Sequence, residues 1–76
     1  MTEERWRLIF GARLRRYMNE FNMSQTELAK KIFVTKGTVN NYLSGVATPS
    51  IKALVNISMV FACDVADLID FGEDVD

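Results

Sequence analysis

Between residues 36 and 44 the sequence KGTVNNYLS places short hydrogen-bonding side chains at a spacing suited to another polar surface. With Val39 at the centre of a buried face and about 100° of turn per residue, Gly37, Asn40, Asn41 and Ser44 fall on the opposite side of a helix, with Thr38 at its flank. Lys36 stands in the first turn, where its long side chain can swing outward. Such a face, with one Lys and no carboxylate, is poorly chosen for solubility alone, and Asn, Thr and Ser are weak helix formers. It suits donor–acceptor pairing with base edges: Asn can bond adenine, and Lys guanine, in a major groove. Bond-making chemistry is not readable. The chain has no His, which excludes His-based acid–base catalysis and His metal ligation. Its single Cys63 cannot close an internal disulfide and has no second ligand at metal spacing. No nucleophile–base or acid–base pair stands out, so the expectation is a non-enzyme without metal, cofactor or evident small-molecule ligand.

Two short helices joined by a tight turn would position that face, within Ser24–Gly45. Ser24 is an N-cap candidate, and Glu27 can reach back to its amide to complete a capping box. Met23 and Leu28 fit a hydrophobic staple across this start. Thr35 repeats the device for the second helix, with Val34 and Val39 as its staple. Leu28, Ala29 and Ile32 form a narrow apolar stripe on the first helix, and Val39, Tyr42 and Leu43 form one on the second.

This segment resembles the helix-turn-helix of the lambda-repressor and Cro superfamily, the XRE-like family. The likeness includes Gln25 at the start of the first helix, small Ala29 at the helix crossing and Val39 beneath the second helix. It runs on through Gly45 and Pro49-Ser50 to Leu54, Ile57 and Leu68, spanning roughly residues 10 to 70. It implies an all-α, five-helix domain whose third helix enters the major groove. It further implies a regulator of transcription, most simply a repressor that occupies a promoter-proximal site and excludes polymerase. On this reading Gln25, Thr35 and Ser44 hold phosphates, while Lys36, Thr38, Asn40 and Asn41 read bases and Gly37 lies among them. Many family members carry Arg and Glu at the positions of Met18 and Leu43; here both are apolar, so the two are expected to pack together. The alternative reading is a protein-interaction module that keeps the fold without DNA binding, favoured by the near-neutral total charge, Gly37 and sparse Lys in the motif.

Seventy-six residues allow one domain, near the lower limit for a core without disulfide or metal support. The net charge of −1 divides unevenly: residues 1–52 hold all nine Lys and Arg against four acids, and residues 53–76 hold six acids and no base. A basic body with an acidic end points toward a polyanionic partner, here double-stranded DNA. No apolar run approaches the ~20 residues of a membrane span and no signal-peptide pattern opens the chain, so a cytoplasmic setting is expected. One small domain reads only part of a groove, which leads to the expectation of a homodimer on a palindromic operator, with Val65, Ile69 and Phe71 as interface candidates.

The remaining chain supplies the frame. Residues 3–21 carry an apolar stripe of Trp6, Ile9, Phe10, Leu14, Tyr17, Met18 and Phe21, with Arg13, Arg15 and Arg16 largely off it as a solvated face. Asn22 is the expected left-handed terminator. Thr48-Pro49 is expected to open a fourth helix, with Pro at its first position and Ile51, Leu54, Ile57 and Phe61 buried. Asp64 is expected to open a fifth, flanked by Cys63 and Leu68 in a staple that makes Cys63 a small buried hydrophobe. The domain is placed at residues 1–71, with residues 72–76 as a short acidic tail that frays. Phe33 and Ala62 stand where the family usually has Gly, so each site either keeps a left-handed backbone at some cost or is reshaped. Gly37 weakens its helix by ~1 kcal/mol relative to Ala, and either permits close approach to a groove or leaves a base pair unread.

Overall fold

The computed structural model of the chain describes residues 2–69, so Phe71 and the acidic tail lie outside the described residues. Five helices follow in order: α1 (Glu3–Glu20), α2 (Gln25–Lys31), α3 (Lys36–Ser44), α4 (Ile51–Val60) and α5 (Val65–Ile69). Each owes its start to a short polar side chain. Thr2, Ser24, Thr35 and Ser50 cap the first four by accepting from an amide three residues on. At α5 the direction is reversed, and the Asp64 amide donates to Asp67 Oδ2 at 3.0 Å. Helices of five to ten residues are too short to persist alone in water; a shared core must hold them. Every helix contributes to it: Phe10 and Leu14 from α1, Leu28 from α2, Val39 from α3, Ile57 from α4 and Leu68 from α5 are all fully buried. The apolar stripes on α2 and α3 face inward as expected, although Leu43 is only half-buried.

The connections carry the backbone strain. Asn22 adopts φ 52° and terminates α1 as expected. Phe33 and Ala62 adopt φ 62° and 52°, so both sites keep the left-handed backbone and each costs roughly 1–2 kcal/mol. The repeated register explains why. The Met23, Val34 and Cys63 amides each donate to a carbonyl five residues back, closing the preceding helix as a glycine-ended one would be closed.

Two expectations for α4 need correction. Ser50 caps this helix through the Ala53 amide at 3.0 Å, so Pro49 lies before the cap rather than at the first helical position. Thr48 bonds instead to Glu3 Oε1. Because the helix begins two residues later than expected, Ile51 occupies its first position and points outward, 80% exposed. Leu54, Ile57 and Phe61 are buried, with Ser58 at the helix contact.

Helix α1 packs across α3, and the crossing is set by Gly11. A Cβ there would lie 2.6 Å from the Tyr42 carbonyl oxygen and 2.9 Å from that of Leu43. On the same helix Met18 is buried, and Leu43 of α3 is half-buried against the core. Met18→Arg is expected to lower stability measurably in urea, because Leu43 offers no carboxylate to the buried guanidinium. Glu27 lines the same surface cleft as Met18 and bounds that loss. Restoring stability by adding Leu43→Glu would demonstrate the apposition of the two sites; no recovery would remove it.

Candidate nucleic-acid interface

Helix α3 is presented by fastenings at both ends. At its start, Thr35 Oγ1 accepts from the Thr38 amide at 3.1 Å, and the Thr35 and Thr38 hydroxyls share a bond of 2.9 Å. Thr38 is thereby held half-buried at the flank of the helix. At its end, Gly45 takes φ 80°, and the Val46 amide closes onto the Asn41 carbonyl at 3.1 Å. Arg7 Nε, 38 residues earlier, donates to the Gly45 carbonyl at 3.0 Å, and an Arg7–Glu3 ion pair steadies the guanidinium. Glu3 in turn accepts from Thr48. The first turns of α1 therefore clamp the loop that follows α3.

Between these ends the side chains divide cleanly. Val39 and Tyr42 are buried, and burial raises the Tyr42 phenol above its ordinary pKa. Lys36, Gly37, Asn40, Asn41 and Ser44 are exposed on the other side. All six positions expected to face outward on α3, Thr38 included, are thus brought onto one polar surface. The Ser44 hydroxyl also donates weakly to the Asn41 carbonyl, at 3.3 Å.

Helix α2 presents its N-terminus with the capping box complete. The Ser24 amide donates to Glu27 Oε1 at 3.0 Å, and Ser24 Oγ accepts from the Glu27 amide at 3.1 Å. This leaves the Gln25 and Thr26 amides at the first turn, with the Gln25 side chain half-buried beside them. Hydrogen bonds from Ser24 hold the Glu27 carboxyl below the usual Glu value. A depressed carboxyl stabilises the fold above its unfolded pKa, and that contribution is lost as pH falls through the folded value. Ser24→Ala is accordingly expected to cost ~1 kcal/mol in urea unfolding near neutral pH, with the difference from wild type shrinking in acid. A constant difference from neutral pH down through the carboxylate range would show that the loss comes from the Ser24 hydroxyl cap alone and not through the Glu27 carboxylate.

Gly11, Arg7 and Glu3 matter to this surface through partners more than 30 residues away, and the local Glu3–Arg7 pair at i,i+4 does not reveal those contacts. Arg13, expected on a solvated face, instead donates to the Asp67 carbonyl at 3.1 Å and ties α5 to α1; Arg15 and Arg16 are exposed. Cys63 is half-buried, and burial raises its thiol above the ordinary value, which disfavours the thiolate. Among the described residues no group of His, Cys, Asp or Glu could hold a metal ion, and no helix is long and apolar enough to cross a membrane.

A helix-turn-helix family model matches residues 14–68, most of the chain and all of the two-helix segment. The chain belongs to the XRE-like helix-turn-helix family. It is 34% identical over 62 residues to an uncharacterized HTH-type transcriptional regulator of Archaeoglobus fulgidus, covering 82% of this chain and 87% of that one. Its fold is similar to the SOS-response transcriptional repressor LexA from Eubacterium rectale, with a TM-score of 0.83 at 29% identity over 91% of this chain and 73% of that one. It is likewise similar to the clp gene regulator ClgR from Corynebacterium glutamicum, with a TM-score of 0.80 at 25% identity over 86% and 69% of the two chains. This helix-turn-helix protein is therefore a member of a family of DNA-binding transcriptional regulators, not of enzymes.

Proposed function

We propose that the chain binds double-stranded DNA sequence-specifically with α3 in the major groove, and that it represses transcription by occupying a palindromic operator as a homodimer. The observation that carries this reading is the exposed face of α3, polar and free of carboxylate, set opposite Val39 and Tyr42 in the core. Lys36, Thr38, Asn40 and Asn41 would read base edges. Gln25 with the free first-turn amides of α2, and Thr35 and Ser44 beside α3, would hold phosphates and set register without reading sequence. The Thr35 hydroxyl can cap α3 and still address a phosphate, because a hydroxyl has one donor and two acceptor sites. Such a protein would work in the cytoplasm, where the DNA of a cell without a nucleus lies.

Selection from a random duplex pool, followed by binding at several salt concentrations, tests the reading. The expected result is a recovered consensus, together with affinity that falls linearly in log–log form as salt rises. A protein-interaction module on the same fold would recover no consensus and bind random duplex hardly at all.

A further inference from the structure

The fastening at the end of α3 is built by residues that precede residue 14, where the family match begins. Helix α3 has no basic residue in its last turn, and a cation at its negative end is supplied by α1. The Arg7 side chain is half-buried there, with Nε donating to the Gly45 carbonyl at 3.0 Å and Nη1 lying 3.3 Å from Glu3 Oε1. The same Glu3 oxygen accepts from Thr48, so one guanidinium–carboxylate pair holds both Gly45 and Thr48. The arm that carries Arg7 is itself fixed. Trp6 stacks on Phe10, and Phe10 meets the Tyr42 ring edge-on. Leu8 closes against Gly45 as well, where a Cβ would lie 2.6 Å from its Cδ2.

We infer that Arg7 is a positioning residue for base reading, acting through the Gly45 carbonyl and without touching DNA, a role that rests on the DNA reading above. The close approach at Gly11, opposite Tyr42 and Leu43, sets how near α3 lies to α1 but is a single crossing point. Apolar packing is non-directional and resists a small rotation about that point only weakly. The Arg7 bond is directional and lies beyond the crossing, toward the end of the helix. Lys36 and Thr38 sit on the long arm of this lever, roughly 10 and 7 Å from the crossing. A rotation of about 5° moves them by roughly 0.9 and 0.6 Å. The useful range of a hydrogen bond is only about 0.5 Å wide, so paired bonds to a base edge are lost. Attraction to phosphates reaches over about 8–10 Å and hardly responds to such a shift. Arg7 thus governs discrimination between sequences rather than attraction to DNA in general.

Wild type, Arg7→Ala and Arg7→Lys, titrated with the consensus duplex recovered from a random pool and with random duplex, test this well below their unfolding midpoints. Arg7→Ala is expected to bind the consensus about tenfold more weakly. Its random-duplex affinity should stay within about twofold of wild type, with the salt slope unchanged. Arg7→Lys keeps the charge, but one ammonium does not span Gly45 and Glu3 as the planar fork does, so it should stay well below wild type on the consensus. In free Arg7→Ala the Val46 amide, bonded to the Asn41 carbonyl, should exchange with solvent faster than in wild type. Unchanged exchange there, or wild-type consensus affinity in Arg7→Ala, overturns this role, and a purely structural residue would give the second result. Equal losses on both duplexes, with the salt slope smaller by about one, would make Arg7 a phosphate contact. Full recovery in Arg7→Lys would make it a point charge, and either result overturns the role too. A wild type that recovers no consensus fails the DNA reading itself, which the wild type alone reveals before any variant is compared.

Discussion

Gly11→Ala is expected to destabilise the domain by about 1–3 kcal/mol, the usual cost of overpacking a tight contact. The sign is not obvious, because Ala favours a helix interior by up to ~1 kcal/mol over Gly. The contact decides it. The new methyl would sit 2.6 and 2.9 Å from two carbonyl oxygens of α3, and backbone cannot swing aside as a side chain does. Relief requires α1 and α3 to separate, which shifts the helix proposed to read DNA. Specific binding should therefore weaken along with stability, read from urea unfolding and from titration of the selected duplex. Gly37→Ala is the control within α3. Its methyl would meet only Thr35 Oγ1, at 3.8 Å, so the propensity gain stands and stability should rise by ~0.5–1 kcal/mol. If Gly37→Ala stabilises the protein yet loses DNA affinity, the groove requires this glycine and the fold does not. Equal responses of the two variants in stability would contradict the assigned role of Gly11.

Asn41→Ala should cost roughly 1–3 kcal/mol of affinity on the best site and relax preference at one base pair. The substitution is clean because the structural duty of Asn41 is performed by its backbone. Its carbonyl accepts from the Val46 amide and the Ser44 hydroxyl, and both bonds survive truncation of the side chain. Folding stability should therefore stay within about 0.5 kcal/mol of wild type. Lys36→Ala should lose affinity and flatten the salt dependence if the ammonium meets phosphate. It should instead relax preference at a guanine if it reads a base. Should both variants bind specific and random duplex as wild type does, α3 is not the reader.

Much of this architecture was legible because its signals are local. A capping box needs only Ser24 and Glu27 three residues apart, and a buried stripe needs only Leu28, Ala29 and Ile32 on one side of a helix; both are where the spacing put them. The outward residues of α3 follow from the inward position of Val39 by helix geometry alone. The start of α4 is not settled by local signals. Thr48-Pro49 and Ser50 are both good openings, and the choice between them lay with Glu3, 45 residues away, which engages the Thr48 hydroxyl and leaves Ser50 to cap.

By itself the sequence determined the helical stripes, the polar outer face of α3 and the absence of His chemistry, since composition and 3.6-residue periodicity are properties of the chain alone, while the five-helix class came with the family resemblance. Only the tertiary structure decided how that face is held. The closeness of α1 to α3 depends on two carbonyl oxygens meeting the single glycine of α1. The end of α3 depends on Arg7 reaching back to the Gly45 carbonyl, and α5 depends on Arg13. The left-handed backbone at Phe33 and Ala62 is imposed at sites where the side chain argues against it. The outward turn of Ile51 likewise exists only once Ser50 has set the phase of α4. In each case the deciding partner lies far along the chain or the packing overrides a residue's own preference, and neither leaves a periodic mark in the sequence.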